Sequence, residues 1–181
     1  AYTLLRLFKI VFQSVSLFPE NEVVLRSYLQ TLVANCLRCA TQSNVSGNHF
    51  YLLLRLFRSI AGGKFELSYK ELLPLLPTIL NALYRLYVCP NDENVRANLV
   101  EIALAIPARL SSLYPHLPLL LRFILPALRC PNGDIVNLGL RTLEFWVDNL
   151  NQEYLYPILS QQETEIMVSL CNHLRPAPYP Y

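Results

Sequence analysis

Charge is scarce in this 181-residue chain: Asp, Glu, Lys and Arg make up 15% of it, against about 25% in an ordinary soluble domain. With 53% hydrophobic residues beside so little charge, its helices must be buried on more than one side. Nor is the charge gathered anywhere. The 12 Arg and 3 Lys are spread along the chain for a net charge of +2, whereas nucleic-acid binding needs a basic stripe or cluster. No direct nucleic-acid contact is expected, and the arginines are read as capping helices and bridging neighbours. Long apolar runs are missing too. The best candidate for a membrane helix, Leu72 to Tyr84, is short and carries Pro74 and Pro77, and a span needs about 18 or more apolar residues. No membrane partner is expected. The lack of a visible signal peptide carries no weight in a fragment.

Catalytic signatures are equally thin. Gly62-Gly63 runs into Lys64-Phe65 without the further glycines or Lys-Ser/Thr of a phosphate loop, and kinase signatures are absent. The acidic residues are too scattered for a metal cage or a carboxylate pair. Five cysteines, at 36, 39, 89, 130 and 171, make an odd count that fits a reduced, intracellular compartment. Cys36-Leu37-Arg38-Cys39 sets two sulfurs on one helix face. A structural zinc needs four ligands and only His49 follows closely, while a redox pair would sit at a helix start beside a strand; two core thiols are the favoured reading. Cys171 and His173 are two apart on a helix and do not face each other. His49, His116 and His173 are isolated in the sequence. Asn44-Val45-Ser46 is a formal glycosylation acceptor with nothing else to suggest secretion. No catalytic, cofactor-binding or metal-binding residue is therefore assigned, no cofactor is expected, and the chain is not read as an enzyme. An enzyme would require Cys36, Cys39 and His49 to gather around a metal.

The chain does repeat itself, about 41 to 45 residues apart. Ile79-Leu80-Asn81-Ala82-Leu83 returns as Ile124-Leu125-Pro126-Ala127-Leu128, and Cys89-Pro90-Asn91 as Cys130-Pro131-Asn132. Val95, Leu99, Ile102 and Ile106 match Val136, Leu140, Leu143 and Val147. Leu113-Tyr114-Pro115 recurs as Leu155-Tyr156-Pro157. That period belongs to HEAT and armadillo arrays, whose helix pairs must stack to bury their apolar faces. The fold class is all-α, an α-solenoid of about eight helices in HEAT-like hairpins. Residues 1–181 are read as one such segment, four hairpins long, internal to a larger protein because neither end carries a polar capping repeat.

Apolar spacing predicts the helices. Tyr2 to Phe18 sets Leu4, Leu7, Phe8, Val11, Phe12 and Val15 on one face, and Glu22 to Ala40 carries Val24, Leu25, Tyr28, Leu29, Leu32 and Val33 inward as its hairpin partner. Asn48 to Ala61 buries Phe50, Leu53, Leu54, Phe57 and Ile60. Ser68-Tyr69-Lys70-Glu71 reads as a capping box opening a helix to Val88, bent by Pro77. Helices then run from Asp92 to before Pro107, from Pro115 to Arg129 across Pro126, and from Asp134 to Asn149. A second capping box, Ser160-Gln161-Gln162-Glu163, opens the last, ending near Leu174. Asp134 and Arg141 are a candidate turn-aspartate and arginine pair. Six tyrosines near helix ends (69, 84, 87, 114, 154 and 156) suit the partly wet seams between repeats. The loops Thr41 to Asn48 and Gly62 to Glu66 are the first places to look for partner contacts.

Several words are more specific than a general HEAT pattern: Leu17-Phe18-Pro19-Glu20-Asn21-Glu22, Leu53-Leu54-Arg55-Leu56-Phe57-Arg58-Ser59-Ile60, Leu72-Leu73-Pro74-Leu75-Leu76-Pro77, Pro107-Ala108-Arg109-Leu110-Ser111-Ser112-Leu113, and Gly139-Leu140-Arg141-Thr142-Leu143-Glu144 with Val147-Asp148-Asn149-Leu150. In that order they resemble the HEAT-rich region of the transformation/transcription domain-associated protein (TRRAP) family, over nearly the whole chain. Trp146 and the Asn44 loop depart from the family words. The resemblance implies a giant nuclear scaffold of the phosphatidylinositol-3-kinase-like kinase superfamily with an inactive kinase-like domain, none of which lies in this chain. It implies membership of SAGA- and TIP60-type histone acetyltransferase coactivator complexes. The expected partners are transcription activators, acetyltransferase-complex subunits and neighbouring solenoid repeats of the parent chain. The rival reading is a HEAT-repeat transport or trafficking adaptor that grips protein cargo, since the architecture alone does not choose.

Overall fold

The computed structural model describes residues 2–42, 47–61, 65–89, 92–106 and 110–174, which form helices and short turns with no strand among them. Eleven α-helices run in the order α1 (Tyr2–Leu17), α2 (Glu22–Gln42), α3 (Gly47–Ala61), α4 (Glu66–Leu72), α5 (Leu76–Val88), α6 (Glu93–Leu104), α7 (Leu110–Leu113), α8 (Leu117–Leu128), α9 (Gly133–Asn149), α10 (Gln152–Leu159) and α11 (Glu163–His173). Single 3-10 turns at Leu73–Leu75, Tyr114–His116 and Ser160–Gln162 join α4 to α5, α7 to α8 and α10 to α11. The result is eight rods, three of them bent.

Two of the three bends follow from proline, and the third, at Ser160–Gln162, contains none. Pro74 and Pro115 each stand second in a 3-10 turn, and Pro77 and Pro118 each stand second in the helix that follows. A proline has no N–H to donate to the preceding turn, so each one removes an i→i−4 bond and the rod bends there; Leu73, Leu76 and Leu117, which precede three of them, stay in the α region. The break predicted at Pro77 therefore sits three residues earlier. Pro126 lies near the end of α8 without stopping it.

The rods stack in two layers. In one, α3 packs on α1, α6 on α3 and α9 on α6; in the other, α4 packs on α2, α8 on α5 and α11 on α8. Hairpin contacts join α2 to α3, α5 to α6 and α8 to α9. The rods match the expected eight, but the first two do not close as the expected hairpin: α1 packs chiefly on α3, and Phe12 and Val15 are its buried side chains. Leu4, Leu7, Val11, Val24 and Tyr28, all expected inward, are exposed. The stripe on α3 is as expected, with Phe50, Leu53, Phe57 and Ile60 buried and Leu54 half-buried.

Neither predicted capping box forms. α4 begins two residues before Ser68, whose hydroxyl is buried without a partner. Its backbone N–H donates instead to the buried Glu22 carboxylate on α2, at 2.7 Å. Glu71 reaches sideways to Arg26 and Gln30 of α2, at 3.1 and 2.7 Å. Ser160 donates to the Pro157 carbonyl inside a rod that began at Gln152, so α10 was missed by sequence. The working caps are Asp92, Asn132 and Asn151, each accepting a backbone N–H at 2.8 to 2.9 Å. The Asp134–Arg141 pair does not form an ion pair; Arg141 lines a small cavity beside Trp146.

α8 and α9 approach closely at Gly139, where an added Cβ would stand 2.9 Å from the Cβ of Ala127. That neighbour is fully buried and cannot rotate away. Gly139→Ala should therefore cost about 1–3 kcal/mol by overpacking, and Leu80→Ala, at a fully buried position, about 2–5 kcal/mol by leaving a cavity. Denaturant melts of a multi-repeat piece check both; an unshifted midpoint for Gly139→Ala would mean the two rods are not in this contact.

Candidate protein-binding surface

Polar side chains stitch each repeat to the next at a nearly constant sequence interval. Arg58 on α3 meets Glu101 on α6 at 2.6 Å. Arg129 on α8 meets Glu165 at 3.0 Å and the Ser169 hydroxyl at 3.2 Å, both on α11. The Tyr69 and Ser112 hydroxyls are hydrogen-bonded, the Asn151 backbone N–H donates to the Tyr114 hydroxyl at 3.0 Å, and the His173 ring meets the carbonyl of Leu128 at the end of α8. With Arg26–Glu71, these arginines do the bridging that sequence assigned to them. The tyrosines fall largely in seams as well. Tyr114 lies edge-on to Tyr154 with centroids 5.5 Å apart, and Tyr84 and Tyr87 lie edge-on to buried Phe123. Tyr156 is exposed.

All five cysteines are free. Cys36, Cys39 and His49 line the same groove, yet no three His, Cys, Asp or Glu side chains converge on a point that would hold a metal, among the described residues. Cys171 is exposed, while His173 is engaged on the Leu128 carbonyl. Burial lowers the pKa of His116 below its ordinary value. No described helix is long and apolar enough to cross a membrane. The Asn44-Val45-Ser46 acceptor and most of the two loops singled out for partner contacts lie outside the described residues.

Two concavities stand out. The first, about 650 Å³, opens between α1 and α2 and is walled by Leu4, Phe8, Val11, Val24 and Tyr28 with Leu52 of α3. Its equivalents further along are filled: α2 lies against both α3 and α4–α5, α5 against α6 and α8, and α8 against α9 and α10–α11. The α1–α2 groove has no such helix among the described residues, which is why its walls are exposed.

The second concavity, about 710 Å³, lies where α5, α6 and α8 meet. The Arg122 guanidinium sits 5.0 Å from the centroid of Tyr84 and that of Arg96 6.0 Å from Tyr87. Val100 and Leu125 form a buried floor. Sequence marked these tyrosines as seam residues and these arginines as bridges, but missed their pairing, because Tyr84 and Arg122 are brought together only by stacking of α8 on α5.

The profile of a family described as the Tra1 HEAT repeat central region matches residues 1–177. The chain is 45% identical over 94% of its length to Transcription-associated protein 1 of Drosophila melanogaster. It is 41% identical over 97% to the SAGA complex/NuA4 acetyltransferase complex subunit TRA1 of Saccharomyces cerevisiae, and 43% identical over 94% to the human Transformation/transcription domain-associated protein. It spans 4 to 5% of the length of these relatives.

Thiol reactivity tests the groove wall. Burial, with Cys39 beside it, pushes the Cys36 thiol up to about 11, so the stability linked to it is complete below the ordinary thiol range and is lost as pH rises towards that value. Iodoacetamide near pH 8 should alkylate exposed Cys89 and Cys171 first and Cys36 only after unfolding. Equal native labelling of Cys36 and Cys89 would put Cys36 on the surface.

Proposed function

The chain belongs to the TRRAP/Tra1 family, within its HEAT-repeat central region, and from that membership we propose that it is a non-catalytic scaffold segment of a nuclear transcription coactivator subunit. It presents protein-binding surface to activators and to subunits of a SAGA- or NuA4/TIP60-type acetyltransferase complex. The observation that carries this reading is the 41% identity, over 97% of the chain, with a yeast subunit whose name assigns it to SAGA and NuA4. The structure supplies a mechanism. Stacked rods give an extended surface whose curvature is set by small rotations between repeats, and the links between repeats hold that curvature. No observation favours the transport adaptor.

Neighbouring solenoid repeats are the first partners of such a segment. The α1–α2 groove is the seat of a bent rod from a preceding repeat of the parent chain, since α2, α5 and α8 each fill the equivalent groove inside this chain. Its walls are apolar, and burying them contributes about 25 cal/mol per Å².

Affinity purification of the intact parent protein, followed by cross-linking mass spectrometry at the exposed Lys9 and Lys70, tests the reading. Acetyltransferase-complex subunits and activators are expected among the linked proteins. Links confined to transport factors or coat proteins would replace it with the trafficking adaptor.

A further inference from the structure

We propose that a concavity between α1 and α3 is a binding site for a compact polyphosphate, a free small molecule whose charge braces these two rods where no carboxylate does. The site goes beyond partner recognition, because its ligand holds the stack together.

Charged rungs between rods follow one order in this structure, with the cation on the earlier rod and the carboxylate on the later. Arg26 on α2 meets Glu71 on α4, Arg58 on α3 meets Glu101 on α6, and Arg129 on α8 meets Glu165 on α11. Between α1 and α3 that order stops halfway. Lys9 and Arg6 stand exposed on α1, but α3 contains no Asp or Glu with which to answer Lys9, and α1 contains none either. Where the carboxylate of a rung would stand there is a third concavity, about 770 Å³, with no acidic residue on its lining.

What α3 presents there is positive as well. Gly47 and Asn48, in its first turn, line the concavity, and a helix N-terminus carries about half a unit of positive charge with its N–H groups pointing outward. That first turn holds no acidic residue to offset it. One turn further on, the Arg55 guanidinium lies 4.9 Å from the ring centroid of Tyr51, which also lines the concavity. The Arg55 Nε is buried and has no hydrogen-bond partner. Like charges from two rods thus converge on one space. A singly charged group would leave part of that charge unanswered, whereas a polyphosphate brings several charges and many acceptor oxygens for ammonium, guanidinium and backbone N–H donors.

Shape selects a compact ligand. The volume falls within the range of about 300–1,000 Å³ that encloses small molecules. Gln13, Asn48 and Tyr51 offer polar groups on the lining, and its aliphatic side chains are half-buried Leu5 and exposed Ile10. A peptide's apolar side chains would find better walls in the α1–α2 groove. An extended polyanion needs a basic track, and here the next arginine along α3, Arg58, is already neutralised by Glu101.

The test uses the intact parent protein in its native complex, after a high-salt wash that strips bound anions. The probe is inorganic tripolyphosphate, with citrate and a phosphoserine peptide for comparison, and the readout is hydrogen exchange resolved by segment. Tripolyphosphate should slow exchange in α1 and the first turns of α3 and leave α9 unchanged, a result that needs no variant to fold. The concentration giving half of that protection should rise about tenfold or more in Arg6→Glu/Lys9→Glu, which removes two charge-assisted contacts, and should not move in Arg85→Glu on α5. Citrate at the same concentration should protect neither segment. No protection of α1 and α3 in the wild type, an unmoved midpoint in the double variant, or equal protection by citrate would overturn the proposal. Protection by the phosphoserine peptide at lower concentration than tripolyphosphate would overturn it in favour of a phosphorylated protein partner.

Discussion

Every rod in this protein depends on a neighbour one repeat away to bury its apolar face. A bent helix such as α4–α5 has Leu72, Leu76, Leu80 and Leu83 fully buried, and what buries them is α2 and α3 on one side and α6 and α8 on the other. The buried side chains form one continuous cluster from Phe12 on α1 to Ile166 on α11, to which each rod contributes where it meets its neighbours. Stability is then close to a sum of repeat and interface contributions, and a loss at one interface is felt by the two rods that form it. Backbone groups obey the same constraint. Ser68 on α4 sends its N–H to Glu22 of the preceding repeat, and the carbonyl of Leu128 at the end of α8 meets His173 of the following one, so even helix ends are completed from outside the helix.

This dependence explains which parts of the structure were readable in sequence. Period, helix number and the helix starts at Asp92 and Asp134 are local or strictly repeated signals, and they fold as read to within a residue. The two capping boxes are local signals too, yet they lose. A buried carboxylate accepting the N–H of Ser68 satisfies α4 better than the Ser68–Glu71 exchange, and Glu71 is then free to answer Arg26 and Gln30. No spacing within Ser68 to Glu71 records a partner some 46 residues upstream. Ser160 misleads for a related reason: α10 is carried by Asn151, and Pro157 lies inside it, a residue usually taken to end helices. Of the apolar stripes read as inward on α1 and α2, the structure buries Phe12, Val15, Leu25, Leu29 and Val33. Their exposure at Leu4, Leu7 and Tyr28 reflects the neighbours within reach, which no stripe can encode. Family membership was legible in longer words because those combine core positions with turn residues, and chance rarely reproduces both.

Surface and interior also divide the arginines. The bridging pairs are half-exposed, with Arg26, Arg58 and Arg129 each near 50% accessible, and exposed ion pairs contribute about 0–1 kcal/mol. Their main effect is on register: a guanidinium and a carboxylate placed on adjacent rods disfavour a slip that would separate them. The apolar seams carry most of the stability, and contacts such as Gly139 on Ala127 fix how closely rods approach.

It follows that the outward ridge is nearly free of folding duty. Arg96 and Arg122 make no ion pair that a seam needs, and their rings, Tyr84 and Tyr87, are held by Phe123 whether or not an arginine lies over them. A scaffold built this way can alter its exposed rim charge without loosening its rods, whereas one with a single closed core would feel each change through the whole domain.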